Sequence, residues 1–327
     1  IGGMTRLTDS GLSITEWKPV TGAIPPIGEA AWVVEFDKYK TTPEYQLQNA
    51  GMSMAEFKGI LWWEWGHRFL GRFVGLVWFV GFVWFLARRQ IPTGWTGRLV
   101  GIGALGGLQG AVGWWMVSSG LEGRMVDVAS YRLAIHLGLA FFILGLIAWF
   151  VFELRRESAE LLQARRRREG GLKRLGSVRV AMLFAQILLG ALVAGIDAGR
   201  SFPTWPSMAG AFLPTESFDY VPMWSNFFEN PALVQFNHRL LGYLAIVLGG
   251  FIWWRSRRSA LAGVRRSFDW MMVRLFGQMV LGIVTVLYAA PVSIAIIHQL
   301  GAVAIFVLAL KARFEAAYPA EQKISRN

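Results

Sequence analysis

Long apolar stretches alternate with short polar segments along almost the whole chain. Each stretch is close to the roughly 20 residues that an α-helix needs to cross the hydrocarbon core of a bilayer. Strands of a membrane barrel would instead alternate apolar and polar residues in much shorter segments. The pattern therefore predicts an all-α polytopic membrane protein. Seven complete spans are predicted, near residues 61–86, 99–118, 132–153, 180–196, 235–254, 269–290 and 293–311.

The composition agrees with this fold class. Of the 327 residues, 54% are hydrophobic and 17% are charged, below the roughly 25% that is usual for soluble domains. The chain contains no cysteine, which excludes a disulfide, a thiolate metal site and a thiol redox step within it.

The net charge of +12 follows the sides of the membrane. Basic residues concentrate in alternate connections between spans. The long connection 200–234 has Arg200 as its only basic residue. This asymmetry is the positive-inside signal and places the basic connections in the cytoplasm or an equivalent compartment. We therefore expect the lipid bilayer, and no nucleic acid, as the partner of this charge. The basic residues include Arg88, Arg89, Arg165–Arg168, Arg257, Arg258, Lys311, Lys323 and Arg326.

The chain also contains an internal repeat. Residues 64–71 read Glu-Trp-Gly-His-Arg-Phe-Leu-Gly, and residues 235–242 read Gln-Phe-Asn-His-Arg-Leu-Leu-Gly. The span before residue 235 has only Ile1 and the next few residues as its counterpart, so we expect about 15–20 residues of a first helix before Ile1. The expected fold is eight transmembrane helices in two pseudo-symmetric four-helix bundles with the same orientation.

Within the repeat, Gln109 and Gly113 correspond to Gln278 and Gly282. The predicted organisation is an N-terminal half at 1–154, a basic linker at 155–179, a C-terminal half at 180–313 and a tail at 314–327.

All four histidines lie in predicted spans, at a similar depth from the same side. Each half offers two imidazoles on helices that can face each other, which is the geometry that clamps a haem iron from both axial positions. We predict the pairs His67 with His136 and His238 with His298. One alternative is a histidine that only hydrogen-bonds to a neighbouring helix, and another is one metal site built from all four residues.

Glu64 makes the two halves unequal. It precedes His67 by three residues on the same helix face, whereas its counterpart, Gln235, cannot exchange protons. The asymmetry predicts a reactive first half and an electron-transferring second half. The alternative is a Glu64 that pairs with Arg68 or Arg132.

Three arginines near the histidines are weaker candidates for binding haem propionates. Arg68 and Arg239 directly follow a histidine, and Arg132 lies one turn before His136. The alternative is that these side chains only extend to the membrane interface.

Several segments together resemble the heme A synthase family, in the branch without outer-loop cysteines that mitochondria and many proteobacteria share. These segments are Gly3–Ser13, Glu64–Gly71, Gln109–Leu121 and Phe228–Arg239. The resemblance implies oxidation of the C8 methyl of haem O, through an alcohol and a geminal diol, to the formyl group of haem A for terminal oxidases.

The resemblance also implies roles for the site residues. His238 and His298 would hold a resident haem b, His67 and His136 would flank the substrate haem, and Glu64 would be the catalytic carboxylate.

The same resemblance implies a location and partners. The protein would lie in the bacterial plasma membrane or the mitochondrial inner membrane, with its haem sites toward the periplasm or intermembrane space. Haem O synthase, oxidase assembly factors and a second copy of the chain are candidate partners. The alternative functions are a bis-histidine electron-transfer cytochrome b with two equivalent haems, and a haem or metal transporter.

Overall fold

The computed structural model describes residues 1–320 except Glu122 and Arg124. Lys323, Arg326 and the end of the predicted tail lie outside the described residues. Within the described part of the chain, the regular structure is helical apart from one isolated bridge between Met208 and Ala211. The α-helices are α1 (Gly2–Leu7), α2 (Glu29–Lys40), α3 (Pro43–Leu47), α4 (Met54–Ala87), α5 (Thr96–Val117), α6 (Ser130–Leu154), α7 (Ser158–Arg166), α8 (Gly170–Gly195), α9 (Ala198–Ser201), α10 (Asn226–Glu229), α11 (Pro231–Ser256), α12 (Ala262–Leu287) and α13 (Val292–Ala317).

Six helices are long and apolar enough to cross a membrane, namely α4, α5, α6, α8, α12 and α13. They confirm six of the seven predicted spans and the prediction of an all-α membrane protein. The seventh, predicted at 235–254, is the 26-residue helix α11. Its second and third turns contain the polar residues Gln235, Asn237, His238 and Arg239.

Two of the helices begin earlier than their predicted spans. Helix α4 begins at Met54 because Ser53 and Glu56 form a capping box that satisfies free backbone N–H groups of the first turn. Helix α8 begins at Gly170, so the end of the predicted basic linker is already helical. The hydropathy pattern locates the apolar part of a helix and misses polar turns that extend it.

The chain divides into two compact units. The first comprises Ile1–Ile143 with Ala194–Ile196, and the second comprises Leu144–Val193 with the described residues from Asp197 onward. The first unit therefore contains His67 and His136, and the second contains His238 and His298.

In the first unit, the segment before the membrane-spanning part of α4 folds as a small helical cap, made of α2, α3 and the first two turns of α4. Its core is an aromatic cluster in which the rings of Phe36 and Phe57 stack with centroids 4.7 Å apart. Ile14 packs against this cluster. The buried members are Trp32, Phe36, Tyr39, Phe57 and Leu61.

In the second unit, α12 packs along both α11 and α13. Helix α11 begins sharply because the Asn230 side chain accepts hydrogen bonds from the N–H groups of Ala232 and Leu233, with Pro231 in the first turn. Asn230 is thus the N-cap residue of the helix that carries His238.

Candidate functional site

The four histidines divide evenly between the two units. His67 on α4 and His136 on α6 belong to the first unit, and His238 on α11 and His298 on α13 belong to the second. All four side chains are partly exposed rather than sealed in the core. Each predicted pair thus lies within one unit, and the pairing of the imidazoles stays a prediction.

Each histidine ring lies directly against a glycine of another helix. A Cβ atom added to Gly113, Gly190 or Gly282 would lie 2.9, 3.1 or 3.0 Å from the Cε1 atom of His136, His238 or His298, respectively. A Cβ atom on Gly2 would lie 2.9 Å from Nε2 of His67. These distances are below normal van der Waals contact, so any larger residue would displace the imidazole. The four glycines that lie against a histidine ring are Gly2, Gly113, Gly190 and Gly282.

Three of the histidines also contact a glutamine located one turn before the glycine. The Nε2 atom of Gln109 donates to the main-chain carbonyl of His136 at 3.0 Å. Gln278 donates likewise to the carbonyl of His298 at 2.8 Å. Gln109 and Gln278 occupy corresponding positions of the internal repeat.

Gln186 on α8 makes the same contact with the carbonyl of His238, at 2.9 Å. Our sequence interpretation missed this residue, although the signal was present. Gln186 precedes Gly190 by four residues, as Gln109 precedes Gly113.

Glu64 is almost completely buried, with 2% of its surface exposed. One carboxylate oxygen accepts a hydrogen bond from Arg68 at 2.6 Å. The other accepts from the hydroxyl of Ser13 and the backbone N–H of Ile14, both at 2.7 Å. All these neighbours are donors, which is the pattern that suits an ionised, acceptor-only carboxylate. The predicted alternative of a Glu64–Arg68 ion pair is therefore present, within a larger network.

Gln235 occupies the corresponding position in the second unit and has a different environment. It is equally buried, but its Nε2 atom makes only a long contact, 3.4 Å, with the carbonyl of Phe202. Its amide oxygen has no hydrogen-bond partner among the described residues. The chemical asymmetry seen in the sequence is thus accompanied by an asymmetry of contacts.

The arginines that follow His67 and His238 bind backbone carbonyls of a preceding loop. Arg68 donates to the carbonyls of Ile14 and Glu16 at 3.0 and 3.2 Å. Arg239 donates to those of Phe202 and Thr204, both at 2.8 Å. In each unit, one guanidinium therefore holds two carbonyls separated by one residue.

Arg132 has a different set of contacts. It donates to the carbonyl of Trp115 at 2.7 Å and lies over the ring of that residue. Among the described residues, no contact joins Arg132 to Glu64. The predicted propionate contacts of the three arginines stay predictions.

The donor set fits a haem. Each unit offers two imidazoles, each of which lies against a glycine, and imidazole nitrogens are common ligands of haem iron. Among the residues that the structure describes, no group of three or more His, Cys, Asp or Glu side chains could hold a metal ion.

Comparison with known proteins gives a consistent family. A family model described as Cytochrome oxidase assembly protein (COX15-CtaA) matches residues 1–310. A relative from Dinoroseobacter shibae, named Heme A synthase, is 63% identical over 98% of this chain and 83% of the relative. Relatives of the same name from Paracoccus denitrificans and Jannaschia sp. are 59% and 58% identical, over 99% of this chain and 85% and 86% of their own lengths. No solved structure matches the chain.

Proposed function

The chain belongs to the heme A synthase family of cytochrome oxidase assembly proteins, and from this premise we propose a division of labour between its two units. Glu64, His67 and His136 form the site that oxidises haem O to haem A, and His238 and His298 hold a resident haem b. The observation that carries this assignment is the buried Glu64 carboxylate with its three donors, which has only the amide of Gln235 as its counterpart.

The residues of the first unit bind and orient the substrate. His67 and His136 would supply imidazole nitrogens to the haem. Glu64 supplies a fixed negative charge, because Arg68, Ser13 and Ile14 hold both of its oxygens. A preorganised charge of this kind stabilises the positive charge that develops as the methyl carbon is oxidised, without reorganisation during the reaction.

The residues of the second unit serve electron transfer. A resident haem b, when bound, supplies one-electron redox chemistry tuned by its axial ligands. His238 and His298 would be those ligands, and the amide of Gln235 adds no ionisable group beside them. This unit therefore lacks the carboxylate that the oxidation requires.

We further propose that both haem sites lie toward the periplasmic or intermembrane side of the membrane. His238 lies in the third turn of α11, and the other end of this helix leads into Arg255, Arg257 and Arg258. Positive residues mark the cytoplasmic side, so His238 lies nearer to the opposite side. Haem O synthase and oxidase assembly factors are the candidate partners for delivering substrate and receiving product.

Extraction of haem from the purified protein tests the function. The protein is co-expressed with a haem O synthase, and its haems are separated by reverse-phase chromatography. We expect haem A, haem O or the intermediate alcohol together with haem b. Haem b alone would favour an electron-transfer cytochrome.

The residue assignment is tested by Glu64→Gln, which keeps the size of the side chain and removes its charge. We expect retained haem b and no haem A. Glu29→Gln, which removes a charge from the exposed surface of α2, is the matched control and should keep full activity. Haem A production by Glu64→Gln would refute the catalytic role.

The two histidine pairs are separated by single replacements. His238→Ala or His298→Ala should lose the resident haem b spectrum, whereas His67→Ala should keep it. If the b spectrum disappears only in His67→Ala, the assignment of the two units is reversed.

A further inference from the structure

A loop of the first unit, between the charged residues Lys18 and Glu29, carries exposed apolar side chains. Its residues 19–28, which we call the apolar loop, read Pro-Val-Thr-Gly-Ala-Ile-Pro-Pro-Ile-Gly and include no charged residue. Val20, Ile24 and Ile27 are 79%, 67% and 76% exposed. A group of exposed apolar side chains with no charge among them marks a surface that contacts another apolar phase.

The apolar loop is bound to the membrane-spanning helix α4 through Arg72. The Nε and Nη2 atoms of Arg72 donate to the carbonyls of Pro19 and Lys18, both at 2.8 Å. A Cβ atom on Gly22 would lie 2.8 Å from the same Nη2 atom. The backbone of the loop therefore approaches the guanidinium closely, and the depth of Arg72 in the membrane sets the depth of the loop.

The depth of Arg72 follows from the apolar stretch after it. Residues 73–87 include no charged residue and are followed by Arg88. At 1.5 Å per residue this stretch covers roughly 23 Å, whereas the hydrocarbon core of a bilayer is roughly 30 Å thick. With Arg88 at one edge, the core extends past Arg72 toward the cap. The Arg72 guanidinium reaches the interface on that side, so the carbonyls that it binds lie at this boundary.

A tryptophan pair marks the same boundary where the chain enters the apolar loop. The rings of Trp17 and Trp114 stack with centroids 6.1 Å apart, and Trp114 lies in the last turn of α5, which ends at Val117. Tryptophan is enriched at membrane interfaces. Between Trp17 and the loop, Lys18 pairs with Glu16 at 2.6 Å, so the last charge before the loop is held by another charged side chain.

The backbone of the apolar loop presents few unpaired N–H groups, which are costly in lipid. The N–H groups of Gly22 and Ala23 donate to carbonyls of preceding loop residues at 3.2 and 3.1 Å. Pro19, Pro25 and Pro26 have no N–H group. Both the side chains and the backbone of this loop are therefore compatible with an apolar surrounding.

We propose that the apolar loop inserts into the membrane leaflet on the side of the cap, opposite Arg88. Its exposed aliphatic side chains lie among the lipid acyl chains, and Arg72 holds it against α4. Lipid is the partner because the loop continues a surface that already faces lipid. Phe73 and Val74, which directly follow Arg72 on the membrane-spanning helix, are exposed as well.

Site-directed spin labelling tests the insertion. The chain contains no cysteine, so a single introduced cysteine carries the nitroxide. Val20→Cys, Ile24→Cys and Ile27→Cys are each labelled in the purified full chain and reconstituted into phosphatidylcholine vesicles. Power-saturation electron paramagnetic resonance then measures collisions of the label with oxygen, which concentrates in lipid, and with a water-soluble nickel chelate.

Two labelled positions of similar exposure serve as references. Val74→Cys lies on the lipid-facing surface of α4. Val34→Cys is the matched control in water, because Val34 is an exposed valine of α2 close to Asp37 and Lys38. At the three loop positions, we expect an oxygen-to-nickel collision ratio several times that at Val34 and close to that at Val74.

Two results would overturn the insertion. A ratio as low as that at Val34 would place the apolar loop in water. Low collision rates with both oxygen and nickel would mean that protein covers the loop, and a second copy of this chain is the only protein in the vesicles.

Arg72→Gln tests the anchor separately. It removes the guanidinium that binds the two loop carbonyls, so the ratio at a label on Ile24→Cys should fall toward the value at Val34. Arg88→Gln, at the other end of α4, is the matched control and should leave the ratio at Ile24 unchanged. An equal ratio at Ile24 in Arg72→Gln and in the chain that keeps Arg72 would refute the anchoring role.

Discussion

Replacement of Glu44 by glutamine should change how the stability of the cap depends on pH. Glu44 lies on α3, is 3% exposed, and has one carboxylate oxygen without a hydrogen-bond partner among the described residues. Burial raises the pKa of Glu44 to about 8. Its hydrogen bond with Tyr39 opposes this shift, whereas the charges of Asp127, Glu64 and Asp9 add to it.

The direction in which cap stability changes with pH follows from proton binding. Between its ordinary pKa of 4.5 and the raised value of about 8, Glu44 is protonated in the folded cap and ionised in the opened one. The folded state binds more protons, so stability is full below the ordinary pKa and falls as pH rises. At 1.36 kcal/mol per pH unit, wild-type cap stability should fall by about 3 kcal/mol between about pH 5.5 and about pH 7.5.

Native-state hydrogen exchange on the amides of α2 and α3 measures the free energy of cap opening. After correction for intrinsic exchange rates, this energy should fall with pH in the wild type and stay level in Glu44→Gln. Glu16→Gln is a control of opposite sign, because Lys18 and Lys38 lower the pKa of Glu16 to about 2. It should lose stability at neutral pH. Parallel pH profiles for wild type and Glu44→Gln would refute the reasoning.

The cap matters for function because Ile14 links it to the candidate active site. Ile14 packs against the aromatic cluster of the cap, and its backbone N–H donates to Glu64 at 2.7 Å. Opening of the cap would therefore loosen one of the donors that hold the Glu64 carboxylate.

Two further predictions concern single contacts of the candidate sites. Arg68→Lys keeps the charge, but a lysine cannot contact the Glu64 carboxylate and the carbonyls of Ile14 and Glu16 together. Charge-assisted hydrogen bonds contribute about 1.5–3 kcal/mol each, so haem A formation should fall roughly tenfold to a hundredfold. Chromatography of extracted haem checks this, and an equal loss in Arg239→Lys would contradict a role specific to the first unit. Gly282→Ala places a Cβ atom 3.0 Å from Cε1 of His298 and should shift or abolish the resident haem b spectrum. Gly277→Ala, where a Cβ atom meets nothing within 4 Å, is its matched control. Identical spectra in both variants would argue against a close contact between Gly282 and the ring of His298.

The relatives supply the family and its activity. The division of labour between the two units is a proposal, and the contacts of Glu64 supply its physical reason.

The sequence by itself determined six membrane spans and the unequal residues Glu64 and Gln235, whereas the histidine pairs stay a prediction. These features are local or periodic. Hydropathy over about 20 residues reports a membrane span, and a repeated motif reports equivalent positions without any knowledge of packing. The polar residues near the start of α11 oppose the apolar signal there, and the first turns of α4 and α8 gave no such signal.

Only the tertiary structure decided what surrounds these residues. The donors to Glu64 come from Ser13 and Ile14, about fifty positions earlier in the chain. Gln186 reaches His238 across 52 positions. The burial of Glu44 likewise depends on how α3 packs. Such contacts depend on how the chain folds back on itself, and spacing along a sequence carries no record of that distance.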